Sequence, residues 1–309
     1  MQIESIWIDE LEFSDGLRGG KITIFTPTYN RAYTLERLYE SLCTQTVHGF
    51  EWIIVDDGST DNTEQLVKRF IGESKLTISY VKQPNRGKHC AINRGIEMAR
   101  GDWFFIVDSD DYLPPNSVEL ILLYVEQITI DESFAGVSGL RCYPNGRKVG
   151  DAVMYDVLDT DSVSFRVRYH VRGDMAEVWR TSLLRQYPFP VFEKERFMSE
   201  EIVWNAIAKK YKLRYFNKNI YTCDYLPDGL TRNVRIHHRQ SPQGSMLVYA
   251  TISRDVRYGL RRRVIAAVNY WRYTICFRGK RCVQLPLWGF ILYPLGLFFY
   301  CLDLYAECR

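Results

Sequence analysis

Strand-like and helix-like runs alternate between residues 21 and 108, and this alternation constrains the chain more than any other feature. KITIFT (21–26), EWIIVDD (51–57), KLTISYV (75–81) and DWFFIVD (102–108) are short runs of β-branched, aromatic and aliphatic residues, the signature of strands. Between them, LERLYESL (35–42) sets Leu35, Leu38 and Leu42 on one helical face, and CAINRGIEMA (90–99) reads as another helix. Asp61 with Glu64 three residues on predicts a capping-box entry into the helix that separates the second and third strands. Such βαβ units cross over right-handed and give a parallel sheet covered on both faces. Ligands then bind beyond the carboxyl ends of the strands.

Three polar clusters lie at those ends: Pro27-Thr28-Tyr29-Asn30-Arg31, Asp56-Asp57-Gly58-Ser59 and Asp108-Ser109-Asp110-Asp111. The last places three carboxylates within four positions of a buried strand, and their mutual repulsion predicts a positive group nearby. A hard divalent cation held by Asp108 and Asp110 meets that need, since Mg²⁺ commonly takes one or two carboxylates plus substrate phosphates. A solvated turn or a helix start is the alternative, because PPNSVELILLY follows directly. An EF-hand loop fits poorly: counted from Asp108, the position that needs Gly is Leu113. A haloacid-dehalogenase-type aspartyl nucleophile also fits poorly, with Tyr112 where that pattern has Thr or Val.

The rest of the chain is less regular. AGVSGLRCY and LRYF read as strands around a helix-like MSEEIVWNAIAKKY. A hydrophobic content of 46% supports a substantial core, and a net charge of +3 is too small to argue for a nucleic-acid partner. The eight cysteines form no CxxC pair, so zinc is not expected. Reduced thiols in a cytosolic protein without a secretory signal are the simplest reading.

Taken together, PTYNR, VDDGSTDNT, NRGKHCAINRGIEMARGDWFFIVDSDD and FMSEEIVWNAIAKKY resemble the inverting glycosyltransferase family 2, over roughly residues 21–225. The resemblance implies an α/β GT-A fold, Rossmann-like, with a mostly parallel central sheet and helices on both faces. Within the chain it implies a nucleotide-sugar-binding half (21–125) and an acceptor-binding half (126–240), which the patternless lead-in (1–20) precedes and a C-terminal region of different composition (241–309) follows. Residue by residue, it implies Thr26, Pro27 and Tyr29 around the nucleobase, Asp57 accepting from a uracil ring, and Lys88 beside the base or diphosphate. Asp108 would reach the ribose or metal, and Asp110 would be the main ligand of Mg²⁺ or Mn²⁺. Family members carry a Glu-Asp pair opening an acceptor-side helix; here it is Glu200-Glu201, which puts Glu201 in the position of the general base and leaves Glu200 as the lesser candidate. The reaction implied is transfer from a nucleotide-sugar, a UDP-sugar, to a glycan hydroxyl with inversion. A catalytically silent nucleotide-sugar-binding or scaffold module is the alternative. His237 or His238, in TRNVRIHHR, is a candidate to close over the diphosphate, while His89 is expected at most to line the pocket.

Beyond residue 245 the character changes. RDVRYGLRRR and RYTICFRGKR are strongly basic, and residues 282–302 carry no charge. That stretch is long enough to cross a bilayer, but Pro286, Gly289, Pro294 and Gly296 interrupt it and aromatic residues are dense, as in interfacial segments. A helical tail associated with the membrane, lying on it, re-entering it or spanning it, is therefore expected, with the arginines meeting anionic head groups, and a buried core helix with a solvated basic face is the alternative. Together with the resemblance, this implies a cytoplasmic enzyme, peripheral or monotopic at the inner face of the plasma membrane, acting on a polyprenyl-diphosphate-linked glycan in surface-polysaccharide or O-antigen synthesis.

Overall fold

The computed structural model describes residues 21–224, 234–277, 279 and 283–307. The lead-in of residues 1–20 and the start of TRNVRIHHR lie outside the described residues. The first half alternates as its sequence predicts: β1 (Ile22–Thr28), α1 (Ala32–Cys43), β2 (Phe50–Asp56), α2 (Thr63–Glu73), β3 (Ile78–Lys82), α3 (Lys88–Met98), β4 (Trp103–Ile106) and α4 (Ser117–Glu126). The four strands pair in parallel, β1 lying between β2 and β4.

The second half extends the same sheet. β5 (Phe134–Cys142), β6 (Val157–Thr160), β7 (Met175–Arg180) and β8 (Lys212–Thr222) follow, interleaved with α5 (Ser162–Val167), α6 (Thr181–Leu184) and α7 (Glu201–Ile207). One sheet of eight strands results, in the order β3-β2-β1-β4-β7-β5-β8-β6. It is mixed: β7 runs antiparallel to β4 and β5, and β6 antiparallel to β8, whereas β5 and β8 are parallel.

Strand alternation sorts the core into two layers. Ile22, Ile24, Trp52, Ile54, Trp103 and Phe105 face α1, α2 and α4, meeting Leu35, Leu38, Leu42, Val67 and Phe70. Phe25, Ile53, Val55, Phe104 and Ile106 face α3 and α7. Because the central strands are covered on both sides, they read as continuous apolar runs.

The capping-box expectation fails in detail. α2 starts at Thr63, and Asn62 before it makes no side-chain cap. Asp61 instead accepts from the Thr63 amide at 3.0 Å and from the Ala32 amide at 3.2 Å, which ties the start of α1 to that of α2. Asp61 thus still serves the first amide of α2 while making a tertiary contact, and it is Glu64 that leaves the box, pairing with Lys68 and Lys82.

The C-terminal helices α8 (Val234–Gln240), α9 (Pro242–Arg254) and α10 (Leu260–Thr274) are followed by a 3₁₀ segment (Leu287–Leu292) and α11 (Tyr293–Glu307). Met246, Ala250, Ala267, Tyr270, Trp271 and Leu285 form a small core of their own. α11 is docked on α10. A Cβ on Gly296 would stand 2.3 Å from that of Trp271, the Trp271 indole donates to the Gly289 carbonyl at 2.8 Å, and Arg272 pairs with Asp303. The opposite side, with Leu287, Ile291, Leu295, Phe298 and Leu302, is exposed. Residues Leu287–Tyr305 are long and apolar enough, by length and composition, to cross a membrane.

Candidate active site

The carboxyl ends of β1, β2 and β4 open into a cleft of about 2290 Å³ whose far wall is the loop before α7, α7 itself and the start of α10. The positive groups demanded by the aspartate cluster are Lys88 and Arg141. Gly87, at φ +95°, turns the chain into α3 so that Lys88, its first residue, reaches the cleft. Lys88 Nζ lies 2.7 Å from Asp108 Oδ1 and 2.9 Å from Glu200 Oε1. Arg141 approaches the other Asp108 oxygen at 4.0 Å and stacks over the Tyr221 ring. Burial opposes charge on Lys88, but Asp108 and Glu200 outweigh it and hold the ammonium well above its ordinary range. Burial likewise opposes the charge on Asp108, and Lys88 with Arg141 overcomes it, keeping this carboxyl low.

The neighbouring acids behave differently. Burial, and then repulsion from Asp108, raises Asp110. The same two causes push Asp111 up to about 7, although its carboxylate accepts from the Tyr221 hydroxyl at 2.7 Å and the Asp224 amide at 3.1 Å. Asp111 thus fastens the turn to the end of β8. Arg37 of α1 clamps the same turn by donating to the Asp110 carbonyl at 2.5 Å. Arg37 and Arg141 were not legible as site residues, since each lies far from the aspartates in sequence.

Of the residues that the resemblance places around the base, Pro27 and Tyr29 line the cleft, Tyr29 being 47% exposed. Thr26 does not. Two-residue alternation sets it on the α1/α2 face with Ile22 and Ile24, fully buried, where its hydroxyl accepts from the Trp52 indole at 2.9 Å. Thr28 does line the cleft, and its buried hydroxyl has no hydrogen-bond partner among the described residues. Asp57 reaches the cleft edge, but it accepts from Gln83 at 2.8 Å and from the Arg86 and Gly87 amides at 2.9 and 2.7 Å. A carboxylate offers about four acceptor positions, so at most one remains for a ligand.

On the far wall the two glutamates diverge. Glu200 turns to Lys88, whereas Glu201 Oε1 accepts from the Tyr258 hydroxyl at 3.2 Å with Arg262 at 3.8 Å. Glu177 of β7 also lines the cleft; burial pushes it up to about 7 against the pull of Arg166 and Arg141. His237 lies on the rim. His238 is not available to a ligand: it is buried against Phe197, Tyr249 and Tyr273, its Nδ1 is 2.7 Å from Ser245 Oγ, and burial, then His237 and Arg272, pushes it down to about 4. His89, the second residue of α3, is buried and does not line the cleft.

Among the described residues no group of three His, Cys, Asp or Glu side chains gathers closely enough to hold a metal by itself. Asp108 and Asp110 still fit a hard cation that completes its shell with substrate phosphates. Both line the cleft, and Asp110, unlike Asp108, has no ion-pair partner among the described residues.

Residues 23–138 match the sequence profile of glycosyl transferase family 2. The glycosyltransferase GlyA of Streptococcus pneumoniae is 29% identical over 224 residues, covering 69% of this chain and 32% of that protein. The chondroitin synthase of Pasteurella multocida is 38% identical over 161 residues, covering 51% of this chain and 16% of that protein. The chain thus spans about a third or less of the length of these relatives. Among solved structures, Staphylococcus aureus TarS 1–349 in complex with UDP-GlcNAc superposes with a TM-score of 0.61 at 19% identity, covering 91% of this chain and 80% of that one. The mannosyltransferase PcManGT of Pyrobaculum calidifontis, in complex with GDP-Man and Mn²⁺, gives 0.55 at 18% identity, covering 93% and 82%. The expected GT-A fold is borne out.

Proposed function

We propose that this chain is a family 2 glycosyltransferase that moves a sugar from a UDP-sugar to a glycan hydroxyl, inverting the anomeric configuration. The observation that carries the reading is the Lys88 bridge: one ammonium contacts Asp108 of the strand-end acids and Glu200 of the helix-opening pair, so clusters 92 residues apart in sequence face each other across one cleft. The match of residues 23–138 to the family supports it independently.

In this reading Tyr29 and Pro27 flank the base, the Thr28 hydroxyl and the remaining Asp57 position offer it polar contacts, and Lys88 turns from Asp108 to the diphosphate. Asp110, with Asp108, would hold Mg²⁺ or Mn²⁺, which when bound neutralises charge on the departing diphosphate. Glu201 takes the proton of the acceptor hydroxyl, Tyr258 orienting its carboxylate. Glu200, already paired with an ammonium, is the weaker base. The acceptor is a lipid-linked glycan of surface-polysaccharide or O-antigen assembly. The exposed apolar side of α11, beside the arginines of α10, suits peripheral attachment at the cytoplasmic face of the membrane.

A screen of nucleotide-sugars with Mn²⁺ for thermal stabilisation should identify the donor, since a ligand of the folded state raises Tm. With that donor, Glu201→Gln should cut transfer by about 10²–10⁴-fold, the usual worth of base catalysis, while UDP affinity holds. Asp110→Asn should abolish metal-dependent UDP binding as well as transfer. Unchanged biological activity in both variants would favour the silent module.

A further inference from the structure

The two ends of the cleft differ in their balance of charge. Acids outnumber cations on the donor floor, where Asp57, Asp108, Asp110 and Asp111 face Arg31, Lys88 and Arg141, whereas the acceptor mouth sets Arg166, Arg172, Lys194, Arg196, Arg261 and Arg262 against Asp174, Glu177, Glu200 and Glu201. Three of these six cations have work already. Arg166 donates to the carbonyls of Val171 and Gly173, Arg172 stands 3.9 Å from Asp151, and Arg262 stands 3.8 Å from Glu201. Lys194, Arg196 and Arg261 are exposed and have no ion pair among the described residues.

The loop that carries two of them is fixed from both sides. Glu195 is buried, and its carboxylate accepts from the Gln243 and Gly244 amides at the start of α9, at 2.8 and 2.9 Å. The Phe197 amide donates to Ser241 at 3.1 Å. On the other side, the Arg196 carbonyl packs so tightly on Gly87 that a Cβ there would stand 2.0 Å from it. With Glu195 drawn inward, Lys194 and Arg196 are left to line the cleft on either side of it. Lys194 has a left-handed backbone, φ +67°, a conformation that costs a non-glycine residue free energy and that persists where the surroundings over-determine it. Cations on a mobile loop would be an ordinary solvated surface. Cations on a loop pinned at three points, lining the same cleft as the proposed base, start from a fixed backbone.

We infer that the acceptor mouth recognises a phosphate group on the acceptor, through Lys194, Arg196 and Arg261. This rests on the glycosyltransferase reading and names the substrate class of the same cleft. Guanidinium forks bind phosphate bidentately and an ammonium adds a compact charge, so two arginines and a lysine suit a phosphate better than a neutral sugar. The exposed Leu260 and Ile265 flank Arg261 on the same rim. They suit the phosphate of the proposed lipid-linked acceptor, and a phosphorylated soluble glycan would present the same group without the lipid.

The test uses the full chain with its donor site filled by UDP and Mg²⁺. Glucose 1-phosphate and methyl α-glucoside are titrated in turn, with binding followed by saturation-transfer NMR. The phosphosugar should bind at least about tenfold tighter than the glycoside, and Lys194→Ala/Arg196→Ala should lose that margin while UDP affinity stays put, tenfold being the scale of charge-assisted hydrogen bonds. Both side chains are exposed, so the variant should fold, which its Tm confirms. Equal binding of the two sugars, or a double variant that binds the phosphosugar as the parent does, overturns the inference with the donor reading intact. Failure of UDP itself to bind overturns both. Phosphatidylglycerol vesicles that displace the phosphosugar, where phosphatidylcholine vesicles do not, assign the phosphate to a lipid; no displacement by either assigns it to a soluble glycan.

Discussion

The donor floor and the acceptor wall of the cleft are built on different principles. On the floor, side chains at strand ends are buried or half-buried and held by one another: Asp108 by Lys88 and Arg141, Asp111 by Tyr221, and Asp57 by the loop it shapes. On the wall, Lys194, Arg196 and Arg261 are exposed and held only through their backbone and neighbours. Asp57, Asp108 and Asp111, satisfied within the floor, fix its shape, whereas Asp110 on the floor and the three cations of the wall, without ion-pair partners among the described residues, keep their charge for what binds. The two surfaces meet at Gly87 and Lys88.

That junction is where the contrast is most easily broken. Gly87→Ala places a Cβ against the Arg196 carbonyl at φ +95°, so either the loop or the turn must move. The backbone conformation alone costs about 1–2 kcal/mol, and the steric conflict adds to it. Chemical denaturation should register a loss above about 2 kcal/mol, and transfer should fall further than UDP affinity because the acceptor wall moves with residue 196. Equal losses in both would mean that the junction does not separate the two surfaces.

Glu177 sharpens the account of the wall. Its folded value is raised to about 7 from an ordinary 4.5, so the native state loses stability as pH rises through that window, and the full benefit is present only below it. Glu177→Gln removes the titration. Relative to the parent, its Tm should climb between pH 5 and pH 8, by the equivalent of at most about 3 kcal/mol, one pKa unit being worth about 1.4 kcal/mol. A difference that does not vary with pH would show the carboxyl ionised throughout and the wall less buried than its geometry implies.

The smallest effect concerns the floor. Thr26→Val keeps the shape but leaves the Trp52 indole N–H unpaired, at about 1–2 kcal/mol. Thermal unfolding should register that loss while UDP affinity is unchanged. A drop in UDP affinity would restore Thr26 to the base pocket that the family resemblance assigned to it.

The legible part of the site was the part that local pattern writes. Asp108 and Asp110 stand directly after an apolar run, so their place at a strand end follows from that run alone. Tyr29 and Pro27 follow β1 in the same way. Thr26 was misplaced by a single position: it belongs to the strand's other face, and that could be told only by knowing which face α1 and α2 cover. His238 failed for a related reason, because a histidine among arginines reads as exposed until Phe197, Tyr249 and Tyr273 are found around it.

What the sequence determined by itself was the alternation of strands and helices to residue 108 and the acids at the strand ends, because hydrophobic period and turn chemistry act over a few residues. Only the tertiary structure decided that Lys88 bridges Asp108 and Glu200, that Arg141 comes from a strand two places away in the sheet to face the aspartates, and that Glu195 folds inward and leaves Lys194 and Arg196 in the cleft. Each of these pairs charges that lie far apart along the chain or sets a loop against a distant helix start. The energy that selects such contacts exists only once the sheet and its helices have closed around them.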